Sequence, residues 1–428
     1  MMKDLQTLIL AAGKGTRMKS DLPKVLHPVC GRPMIDYVVG LARGVGSAKI
    51  HLVLGYKNSE VRAVVPKDSK IHIIIQRQLR GTGDAVRSAQ STFRHFDGDI
   101  LILSGDAILL RQKTLKDLVQ RHNKSQAVVT FLTTVTQHPE GYGRIIRGFG
   151  GKAVAIREER DATEYEKNIM EINAGVYCFR TPALREAIRH IKINPRKKEY
   201  YLTDIIAYLN EQKARIETLE TEDPCEGLGI NSRIDLARSE DIIRQRILRQ
   251  FMLNGVTVVD PSTTYIYQNV TIGRDTVIRP FTVIENDVRI GPHCRIGPFA
   301  RLRPGTRIGA GVELGNFVEV SRSRLGRQCV MKHFSFLGDA RIGKNVNIGA
   351  GVVTANYDGK NKNITQISDH AFIGSDTIMV APVKVGQKAM TGAGCVVTRG
   401  KIIPAGRVAV GAPARLLERK ANTTRKTK

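Results

Sequence analysis

Hydrophobic and polar positions follow two different periods in the two halves of this 428-residue chain. In the first half, short apolar runs alternate with stretches in which apolar residues recur at helical spacing. Near-continuous apolar strands separated by helices are typical of a parallel, doubly wound sheet that helices cover on both faces. The runs at residues 6–10, 50–54, 71–75, 100–103 and 127–131 are therefore predicted to be strands, and residues 33–43 and 82–93 to be helices.

The second half carries an aliphatic residue at every sixth position. This period is typical of a parallel β-helix, because each six-residue step contributes one inward side chain and stacked coils bury these side chains in a continuous column. Two five-residue steps, before Leu325 and before Ile342, and one loop before Ile367 interrupt the series. The predicted column consists of Ile266, Ile272, Ile278, Ile284, Ile290, Ile296, Leu302, Ile308, Leu314, Val320, Leu325, Met331, Leu337, Ile342, Ile348, Thr354, Ile367, Ile373, Met379, Val385, Thr391, Val397, Ile403 and Ala409.

These two patterns predict an α/β domain followed by a β-solenoid. The α/β domain is assigned to residues 1–231 and the β-helix to residues 254–414. Residues 232–253 carry apolar and charged side chains at helical spacing and are predicted to form a linker helix. Residues 415–428 are basic and are predicted to be a disordered tail.

The loop after the first strand is the strongest candidate for a binding site. The strand leads into the sequence Ala11-Ala12-Gly13-Lys14-Gly15-Thr16-Arg17-Met18, and Pro23-Lys24 follows. Glycine lets backbone N–H groups approach an anion, and lysine and arginine donate charge-assisted hydrogen bonds to phosphate. This loop is therefore predicted to bind phosphate.

The spacing of this loop excludes two familiar phosphate-binding motifs. A Walker loop needs a glycine where Leu8 stands, and a dinucleotide-binding fingerprint needs one where Met18 stands. The pattern L-x-x-G-x-G-T-R-[ML], with P-K shortly after it, resembles the signature of sugar-phosphate nucleotidylyltransferases.

Asp106 is a candidate metal ligand. It follows the fourth predicted strand in Ser104-Gly105-Asp106, and ligands of such sheets bind beyond the carboxyl ends of the strands. A Gly-Asp pair alone is typical of a turn. Beside a phosphate loop, however, a lone carboxylate is suited to hold a divalent cation that offsets the phosphate charge.

Other residues could complete a nucleotide and sugar site. Gln76 ends the third predicted strand, and Gly81 and Thr82 open the next helix. Taken singly, each is equally consistent with a turn or a helix cap. The same alternative holds for Gly143, Glu158, Asn173 and Asn231, the last of which stands where a helix cap is expected.

With both halves considered, the chain resembles the bacterial family of bifunctional N-acetylglucosamine-1-phosphate uridyltransferases / glucosamine-1-phosphate acetyltransferases. The resemblance extends from Leu5 to about Ala414 and includes the domain order. It implies synthesis of UDP-N-acetylglucosamine for peptidoglycan and lipopolysaccharide: CoA-dependent N-acetylation of glucosamine 1-phosphate, then uridylyl transfer from UTP to N-acetylglucosamine 1-phosphate with release of pyrophosphate. It also implies Mg²⁺ as cofactor, UTP and acetyl-CoA as co-substrates, and a left-handed β-helix that forms a homotrimer.

The resemblance implies roles for individual residues of the first domain. Arg17 and Lys24 would act on the phosphates, and Asp106 and Asn231 would hold Mg²⁺. Two milder departures from the family are Asp84, where His is common, and Ile108, where Pro is common. The nucleotide and the sugar would be bound by Ala11, Ala12, Gly13, Lys24, Gln76, Gly81, Thr82, Gly143, Glu158, Asn173 and Asn231.

In the second domain, the resemblance implies that His333 is the catalytic base that deprotonates the amine of glucosamine 1-phosphate. Without the resemblance, a lone histidine in a solenoid would be interpreted as structural. The resemblance further implies that Arg303, Asn347, Asn356 and Tyr357 bind the sugar phosphate, and that Ala350, Ser375 and Ala393 bind acetyl-CoA.

The second site departs from the family at three positions. Ser321 stands where a phosphate-binding Lys is usual, Phe336 where a Tyr is expected, and Gly411-Ala412-Pro413 where an Arg is usual. Arg322 could replace the missing cation. The alternative interpretation is a nucleotidylyltransferase whose β-helix only forms the trimer or acylates a different amino sugar.

The formal charge of +27 indicates a basic surface that attracts nucleotide, coenzyme A and polyanions. Specific nucleic-acid recognition is not expected, because the chain has no Trp, few aromatic residues and no recognition motif. A non-enzymatic scaffold with a basic surface is a third interpretation. The six cysteines form no C-x-x-C pair, and no run of eighteen apolar residues occurs, so we expect a cytoplasmic protein that does not insert into membranes.

Overall fold

The computed structural model describes residues 4–417, and the chain divides into two compact units, Met1–Ile242 and Ile243–Lys428. Residues 418–428, most of the predicted tail, lie outside the described residues. The predicted tail begins at Arg415, but Arg415–Leu416 is a strand that pairs antiparallel with Val408–Val410.

The first unit is built around a nine-stranded sheet. Its main path runs in the order β9-β5-β8-β4-β1-β2-β3, and β6 and β7 form a hairpin attached to β8. The strands are β1 (Leu5–Ala11), β2 (Lys49–Leu54), β3 (Ile71–Ile75), β4 (Asp99–Ser104), β5 (Val129–Val135), β6 (Arg144–Arg147), β7 (Ala153–Arg157), β8 (Glu171–Arg180) and β9 (Ile216–Glu220).

Helices connect these strands, and the predicted elements are all present with ends shifted by a few residues. The helix predicted at 82–93 is an α-helix that passes into a 3-10 turn, Gln90–Phe93. The helices are α1 (Met34–Gly44), α2 (Asn58–Val64), α3 (Gly81–Ala89), α4 (Gln112–Ser125), α5 (Glu164–Lys167), α6 (Thr181–His190), α7 (Asp204–Glu211) and α8 (Arg233–Leu253). Two-residue strands pair at Pro28–Val29 with Arg32–Pro33 and at Ile193–Asn194 with Glu199–Tyr200.

The direction of β8 differs from the prediction of a parallel sheet. β8 is antiparallel to both of its neighbours, β4 and β5, whereas the other main-path pairs are parallel. The apolar run Val176–Phe179 is buried on both faces. An apolar pattern has the same appearance in either chain direction, so the sequence could not reveal this reversal.

The second unit is a parallel β-helix with three faces. Strands pair in parallel with the strand one coil later, as in Ile284 with Leu302, 18 residues on. The antiparallel strand Arg415–Leu416 is the exception. The first face consists of Thr257–Val258, Val277–Ile278, Arg295–Ile296, Glu313–Leu314, Val330–Met331, Asn347–Ile348, Phe372–Ile373, Met390–Thr391, Val408–Val410 and Arg415–Leu416. The second face consists of Tyr265–Ile266, Val283–Ile284, Arg301–Leu302, Val318–Ser321, Ser335–Gly338, Val353–Ala355, Ile378–Val380 and Val396–Val397. The third face consists of Thr271–Ile272, Arg289–Ile290, Arg307–Ile308, Arg324–Leu325, Ala340–Ile342, Thr365–Ile367, Val383–Val385 and Ile402–Ile403.

The predicted aliphatic column is the core of this unit. Its members are buried, except that Ile272 at one end is partly buried. Where a five-residue step occurs the coil shortens to 17 residues, so that Val320 pairs with Leu337 and Leu325 with Ile342. Thr354 enters the column because its hydroxyl is satisfied: it donates to Gly338 O at 3.1 Å and accepts from Gly338 N at 2.8 Å.

Within residues 4–417, no helix is long and apolar enough to cross a membrane.

Candidate active sites

The first candidate site lies where β1 and β4 end side by side. These strands are parallel neighbours, so the loop at Gly13 and the Asp106 turn leave the sheet at the same edge. Lys24 forms an ion pair with Asp106 and donates a hydrogen bond of 3.2 Å to Asn231 Oδ1. The prediction that the phosphate loop and Asp106 belong to the same edge is confirmed.

Arg17 completes this cluster and shows that Asn231 is not a helix cap. Its Nη2 donates a hydrogen bond of 2.8 Å to Asn231 Oδ1. The cap of α8 is Ser232, whose Oγ accepts from Asp235 N at 3.2 Å while the Asp235 carboxylate accepts from Ser232 N at 2.8 Å. The alternative interpretation of Asn231 as a cap is therefore wrong, and its side-chain oxygen faces two cations instead.

The environment of Asp106 keeps its carboxylate ionised. Burial alone would raise the pKa of this carboxyl. The adjacent Lys24 ammonium and hydrogen bonds from Lys24 and Ser104 outweigh burial, and the pKa lies below its usual value. Ser104, which donates to Asp106, was not predicted as a site residue.

The oxygens of Asp106 and Asn231 suit a hard cation. Both contact the same Lys24 ammonium, so they converge on one region of positive charge. Mg²⁺ prefers oxygen ligands and is commonly held by one or two protein groups together with substrate phosphates and water. In the described part of the chain, no group of three or more His, Cys, Asp or Glu side chains could hold a metal ion. A magnesium site built on these two residues would thus depend on the bound nucleotide.

Gln76 directly follows β3, and its amide is held against the first turn of α3. Its Nε2 donates to Asp84 Oδ2 at 2.8 Å and to Gly81 O at 3.2 Å. Because both N–H groups are used, Oε1 is the atom left to contact a base edge. Thr82 Oγ1 accepts a hydrogen bond of 3.1 Å from Leu202 N. The sequence did not indicate that Asp84 orients Gln76.

The predicted sugar residues lie around the hairpin of β6 and β7. Asn173 N donates to Gly143 O at 2.8 Å, and Asn173 Nδ2 donates to Tyr177 Oη at 2.6 Å. Thr203 Oγ1 donates to Glu158 Oε1 at 2.8 Å. Burial, followed by nearby carboxylates, raises the pKa of Glu158. Thr203 was not predicted, since a hydroxyl 45 residues away in sequence carries no local signal.

The second candidate site is a corner of the β-helix. Gly351 N donates to Phe334 O at 2.7 Å, Asp376 N to Ala350 O at 2.7 Å, and Gly394 N to Ser375 O at 2.8 Å. These bonds join successive coils, so the predicted acetyl-CoA residues and His333 lie in one row along the corner. The stacked residues are His333, Ala350, Ser375 and Ala393.

The His333 imidazole is exposed and makes no hydrogen bond or ion pair with any residue of the 4–417 range. It is therefore accessible to a substrate amine. Asn347, on the first face, pairs across the sheet with Val330, the residue before Met331. Asn347 thus lies in the coil next to that of His333, and the role of both residues in substrate binding stays a prediction.

The other predicted sugar-phosphate residues directly follow strands of the second face. Arg303 follows Arg301–Leu302, and Asn356 and Tyr357 follow Val353–Ala355. Arg303 Nη1 donates to Glu319 Oε1 at 2.9 Å, whereas its buried Nε has no partner within the described chain. Asn356 Nδ2 donates to Asp339. Tyr357 is exposed, and its hydroxyl donates to Gly359 O at 2.6 Å.

Comparisons with known proteins match both units. The nucleotidyl transferase family matches residues 6–223, the bacterial transferase hexapeptide family (six repeats) residues 287–322, and the hexapeptide repeat of succinyl-transferase residues 364–399. The chain is 41% identical to the bifunctional protein GlmU of Desulfitobacterium hafniense, over 94% of this chain and 95% of the relative. It is 40% identical to that of Geobacter sulfurreducens (96% of each chain) and 42% identical to that of Rubrobacter xylanophilus (96% and 94%).

The chain belongs to the bifunctional GlmU family. As a GlmU-family protein it is a bifunctional transferase of UDP-N-acetylglucosamine synthesis, with a nucleotide and acetyl-CoA among its substrates, and its solenoid is a left-handed β-helix. The interpretation as a non-enzymatic scaffold is therefore wrong.

Position 321 is the first of the three departures that the resemblance indicates. Ser321 is buried, and its Oγ accepts a hydrogen bond of 2.9 Å from Arg322 Nη1. The rest of the Arg322 guanidinium is bound to both oxygens of Asp339, at 2.7 and 2.9 Å. A cation thus adjoins Ser321, but an aspartate already neutralises it.

The other two predicted departures place no polar side chain at positions 336 and 411. Phe336 pairs across the second face with Glu319 and offers no hydroxyl. Gly411 adopts a positive φ of 85°, which favours glycine, and Val396 N donates to its carbonyl at 3.0 Å. Position 411 therefore forms a backbone turn and presents no cationic side chain.

Proposed function

We propose that the first unit transfers the uridylyl group of UTP to N-acetylglucosamine 1-phosphate through the cluster of Arg17, Lys24, Asp106 and Asn231. An oxygen of the sugar phosphate attacks the α-phosphorus of UTP, and the bond to the pyrophosphate oxygen breaks. No covalent enzyme intermediate is needed. Catalysis depends on alignment of the phosphates and on neutralisation of their charge.

The observation that carries this proposal is that one lysine contacts both oxygen ligands. Lys24 and Arg17 are held at the mouth of the glycine loop by Asp106 and Asn231. When phosphates bind, these two cations can donate to the phosphates. The oxygens of Asp106 and Asn231 are then released to hold Mg²⁺, which would supply further charge neutralisation.

We propose that Gln76 reads the base and that Glu158 and Asn173 bind the sugar. The free Oε1 of Gln76 accepts a hydrogen bond from the N3–H that uracil presents, and the oriented amide favours this pairing. Glu158 and Asn173 offer acceptors and donors to sugar hydroxyl and acetamido groups. Support for both roles comes from their fixed orientations, through Thr203 and Tyr177.

For the second unit we propose N-acetylation of glucosamine 1-phosphate. His333 takes a proton from the amine as its nitrogen attacks the thioester carbonyl of acetyl-CoA. The carbon–sulfur bond breaks, and the coenzyme A thiolate leaves and takes up a proton. The accessible imidazole and the stacked corner of Ala350, Ser375 and Ala393 support this role.

The alternative function differs in the second unit only, where the β-helix acetylates another amino sugar in place of glucosamine 1-phosphate. Ser321 and Phe336 favour it, because both positions lack the polar groups usual in the family. Each lost hydrogen bond to a charged group costs about 1.5–3 kcal/mol. Arg322 would have to exchange Asp339 for the sugar phosphate to restore the missing contact.

One coupled assay separates the two functions. Purified protein is given glucosamine 1-phosphate, acetyl-CoA, UTP and Mg²⁺, and thiol and pyrophosphate release are followed separately. We expect both products, loss of thiol release in His333→Ala and loss of pyrophosphate release in Asp106→Ala. His370→Ala, which removes an exposed histidine of another coil, serves as the control and should retain both activities.

Pyrophosphate release only when N-acetylglucosamine 1-phosphate is supplied directly would overturn the acetyltransferase proposal and support the alternative. Pyrophosphate release from Asp106→Ala at the normal rate would overturn the assignment of the first site. Dependence of pyrophosphate release on Mg²⁺, abolished by EDTA, tests the metal.

We further propose that the β-helix forms a homotrimer and that the enzyme works in the cytoplasm. Membership of the GlmU family supports both proposals. Sedimentation equilibrium of the full chain measures the assembly, and a mass of one subunit would contradict it.

A further inference from the structure

Arginines form a ladder on the third face of the β-helix. Arg289 pairs with Arg307, Arg307 with Arg324, and Arg324 with Arg341, each in the next coil at the same outward position. Neighbouring strands are about 4.8 Å apart, so four cations lie in one row. The row continues through Gln366 to Lys384.

Most of these charges have no acidic partner. Arg307 forms an ion pair of 2.8 Å with Asp287. Arg289, Arg324 and Arg341 are exposed, and none has a carboxylate within 4.0 Å in the part of the chain that the structure describes. Like charges directly opposite on adjacent strands are destabilising, so the ladder is not explained by folding stability. An anionic partner would remove that repulsion.

The rest of the third face is flat, and the acids beside it, Asp287, Asp339 and Asp369, lie at the corners where the strands begin or end. In each coil, the residue directly after the inward side chain also faces outward and is small. These residues are Gly291, Gly309, Gly326, Gly343, Ser368 and Gly386. The arginines therefore project further than their surroundings. A pocket of about 220 Å³ opens between two rungs, lined by Arg322, Arg324, Arg341, Asp339 and Ile364 among others.

We propose that the third face is a docking surface for membranes rich in anionic phospholipid, whose headgroup phosphates bind the basic rungs. The flat arrangement matches a planar array of headgroups. The rung after Lys384 is Ile402, which is 62% exposed, and Ile364 at the pocket is 38% exposed. Exposed aliphatic side chains next to a basic row suit the boundary between headgroups and acyl chains.

Nucleic acid is the other macromolecule that such charges attract, and the face favours it less. Single strands are bound through aromatic side chains on which bases stack, and no outward position of the third face holds an aromatic residue within 4–417. Groove recognition needs an element that enters the groove, whereas these rungs are strands of two or three residues in one sheet.

The test is co-sedimentation of the full chain with large unilamellar vesicles. Phosphatidylcholine vesicles with and without 30% phosphatidylglycerol are compared at about 100 mM NaCl, where exposed charges are only partly screened. We expect binding only to the anionic vesicles and its loss at 1 M NaCl. Each basic residue near such a surface changes partitioning about fivefold, so the triple variant Arg289→Gln/Arg324→Gln/Arg341→Gln should bind about a hundredfold more weakly.

The matched control removes three exposed arginines on or directly after strands of the first face, in Arg279→Gln/Arg295→Gln/Arg415→Gln. It has the same net charge as the ladder variant and should bind nearly as the unaltered chain does. Both variants should retain uridylyl transfer and thermal unfolding midpoints, which shows that they fold. All proteins keep residues 418–428, so any contribution from that segment is equal.

Three results would overturn the proposal. Equal weakening in the two triple variants would mean that net charge, not the ladder, attracts the vesicles. Complete displacement of bound protein by 10 mM inorganic phosphate would mean that the pocket binds a small free anion. Ladder-dependent binding to a 20-nucleotide duplex, without binding to anionic vesicles, would assign the face to nucleic acid.

Discussion

Nη2 of Arg17 donates a hydrogen bond of 2.8 Å to Oδ1 of Asn231, 214 residues further along the chain. This bond joins the phosphate loop to the residue that precedes Ser232, the cap of α8. We expect Asn231→Ala to lower kcat for pyrophosphate release about 10²–10³-fold and to raise the Mg²⁺ concentration needed for half-maximal rate, because a cation-positioning oxygen is lost. Mg²⁺ titration of initial rates measures both.

The control for this variant is Ser232→Ala, which removes only the cap of α8. It should cost about 1 kcal/mol of stability and leave kcat unchanged. An equal loss of activity in Ser232→Ala would mean that Asn231 acts only through the helix.

The orientation of Gln76 by Asp84 predicts a base preference. In Asp84→Ala the Gln76 amide is free to turn, and its N–H₂ group can then pair with the N3 acceptor of cytosine. We expect the ratio of kcat/KM for UTP to that for CTP to fall about tenfold or more. The ratio for UTP to dTTP should not change, since thymine also carries N3–H. Asp84→Asn keeps an acceptor oxygen and should retain the preference; a loss there as large as in Asp84→Ala would contradict the mechanism.

Replacement of the buried Glu158 is expected to stabilise the fold and to weaken binding of N-acetylglucosamine 1-phosphate. The pKa of Glu158 is raised mainly by burial, so ionisation of this carboxyl disfavours folding at neutral pH. The protonated carboxyl stabilises the folded state relative to the ionised one, and this stabilisation is present at acidic pH and is lost as pH rises through the raised pKa. Glu158→Gln should therefore unfold at the same or a higher temperature at pH 7.5. Its KM for N-acetylglucosamine 1-phosphate should rise about tenfold or more, because a charged acceptor is lost.

Glu159→Gln is the matched control for Glu158→Gln. Glu159 forms an ion pair of 2.7 Å with the buried Arg144, and the variant should lower the unfolding temperature while leaving KM unchanged. A lower unfolding temperature in Glu158→Gln at pH 7.5 would show that its burial carries no penalty.

His51 predicts acid sensitivity of the first unit. Burial lowers its pKa to about 4, with smaller contributions from His72 and Lys49, and its Nε2 lies 2.8 Å from Gln6 Oε1. The pKa of His51 in the folded state is below the ordinary value of about 6.5, so the neutral imidazole stabilises the folded state fully above that pH. This stabilisation is lost as pH falls toward 4, and the free energy of unfolding decreases by up to about 3 kcal/mol. His51→Gln should flatten the pH dependence of the unfolding midpoint between these values. His95→Gln, at an exposed position, should leave the slope unchanged; a steep slope in His51→Gln would assign the sensitivity to another group.

Restoring the residues that are usual in the family at positions 321 and 336 is expected to increase acetyltransferase activity. Phe336→Tyr supplies a hydroxyl beside Glu319, and Ser321→Lys supplies a cation that Asp339 does not already neutralise. Together they should raise kcat/KM for acetylation of glucosamine 1-phosphate at least fivefold, as thiol release measures. Phe372→Tyr, on the first face, should have no effect. A fall in the double variant would indicate that this chain prefers a different amino sugar.

The β-helix was predictable almost residue by residue, whereas the contacts that orient the first site were not. The inward side chains are aliphatic in nearly every coil, so periodicity alone revealed the column from Ile266 to Ala409. The pairing of Thr203 with Glu158 and of Asp84 with Gln76 depends on distances that no local pattern encodes. Asn231 and Ser232 are both residue types that cap helices, and only the fold shows which of them does so.

The coil-to-coil register restricts how a β-helix of this kind can change in length. Val320 lies one coil from Leu302 and one coil from Leu337, although the first interval has 18 residues and the second has 17. A coil shortens only at a corner, where the next inward residue still reaches the column. A single-residue insertion inside a strand would turn every following aliphatic outward up to the next corner, but removal of one entire coil would bring matching faces together. Families of such solenoids should therefore differ by whole coils, and the length of the β-helix along its axis should differ between them in steps of about 4.8 Å.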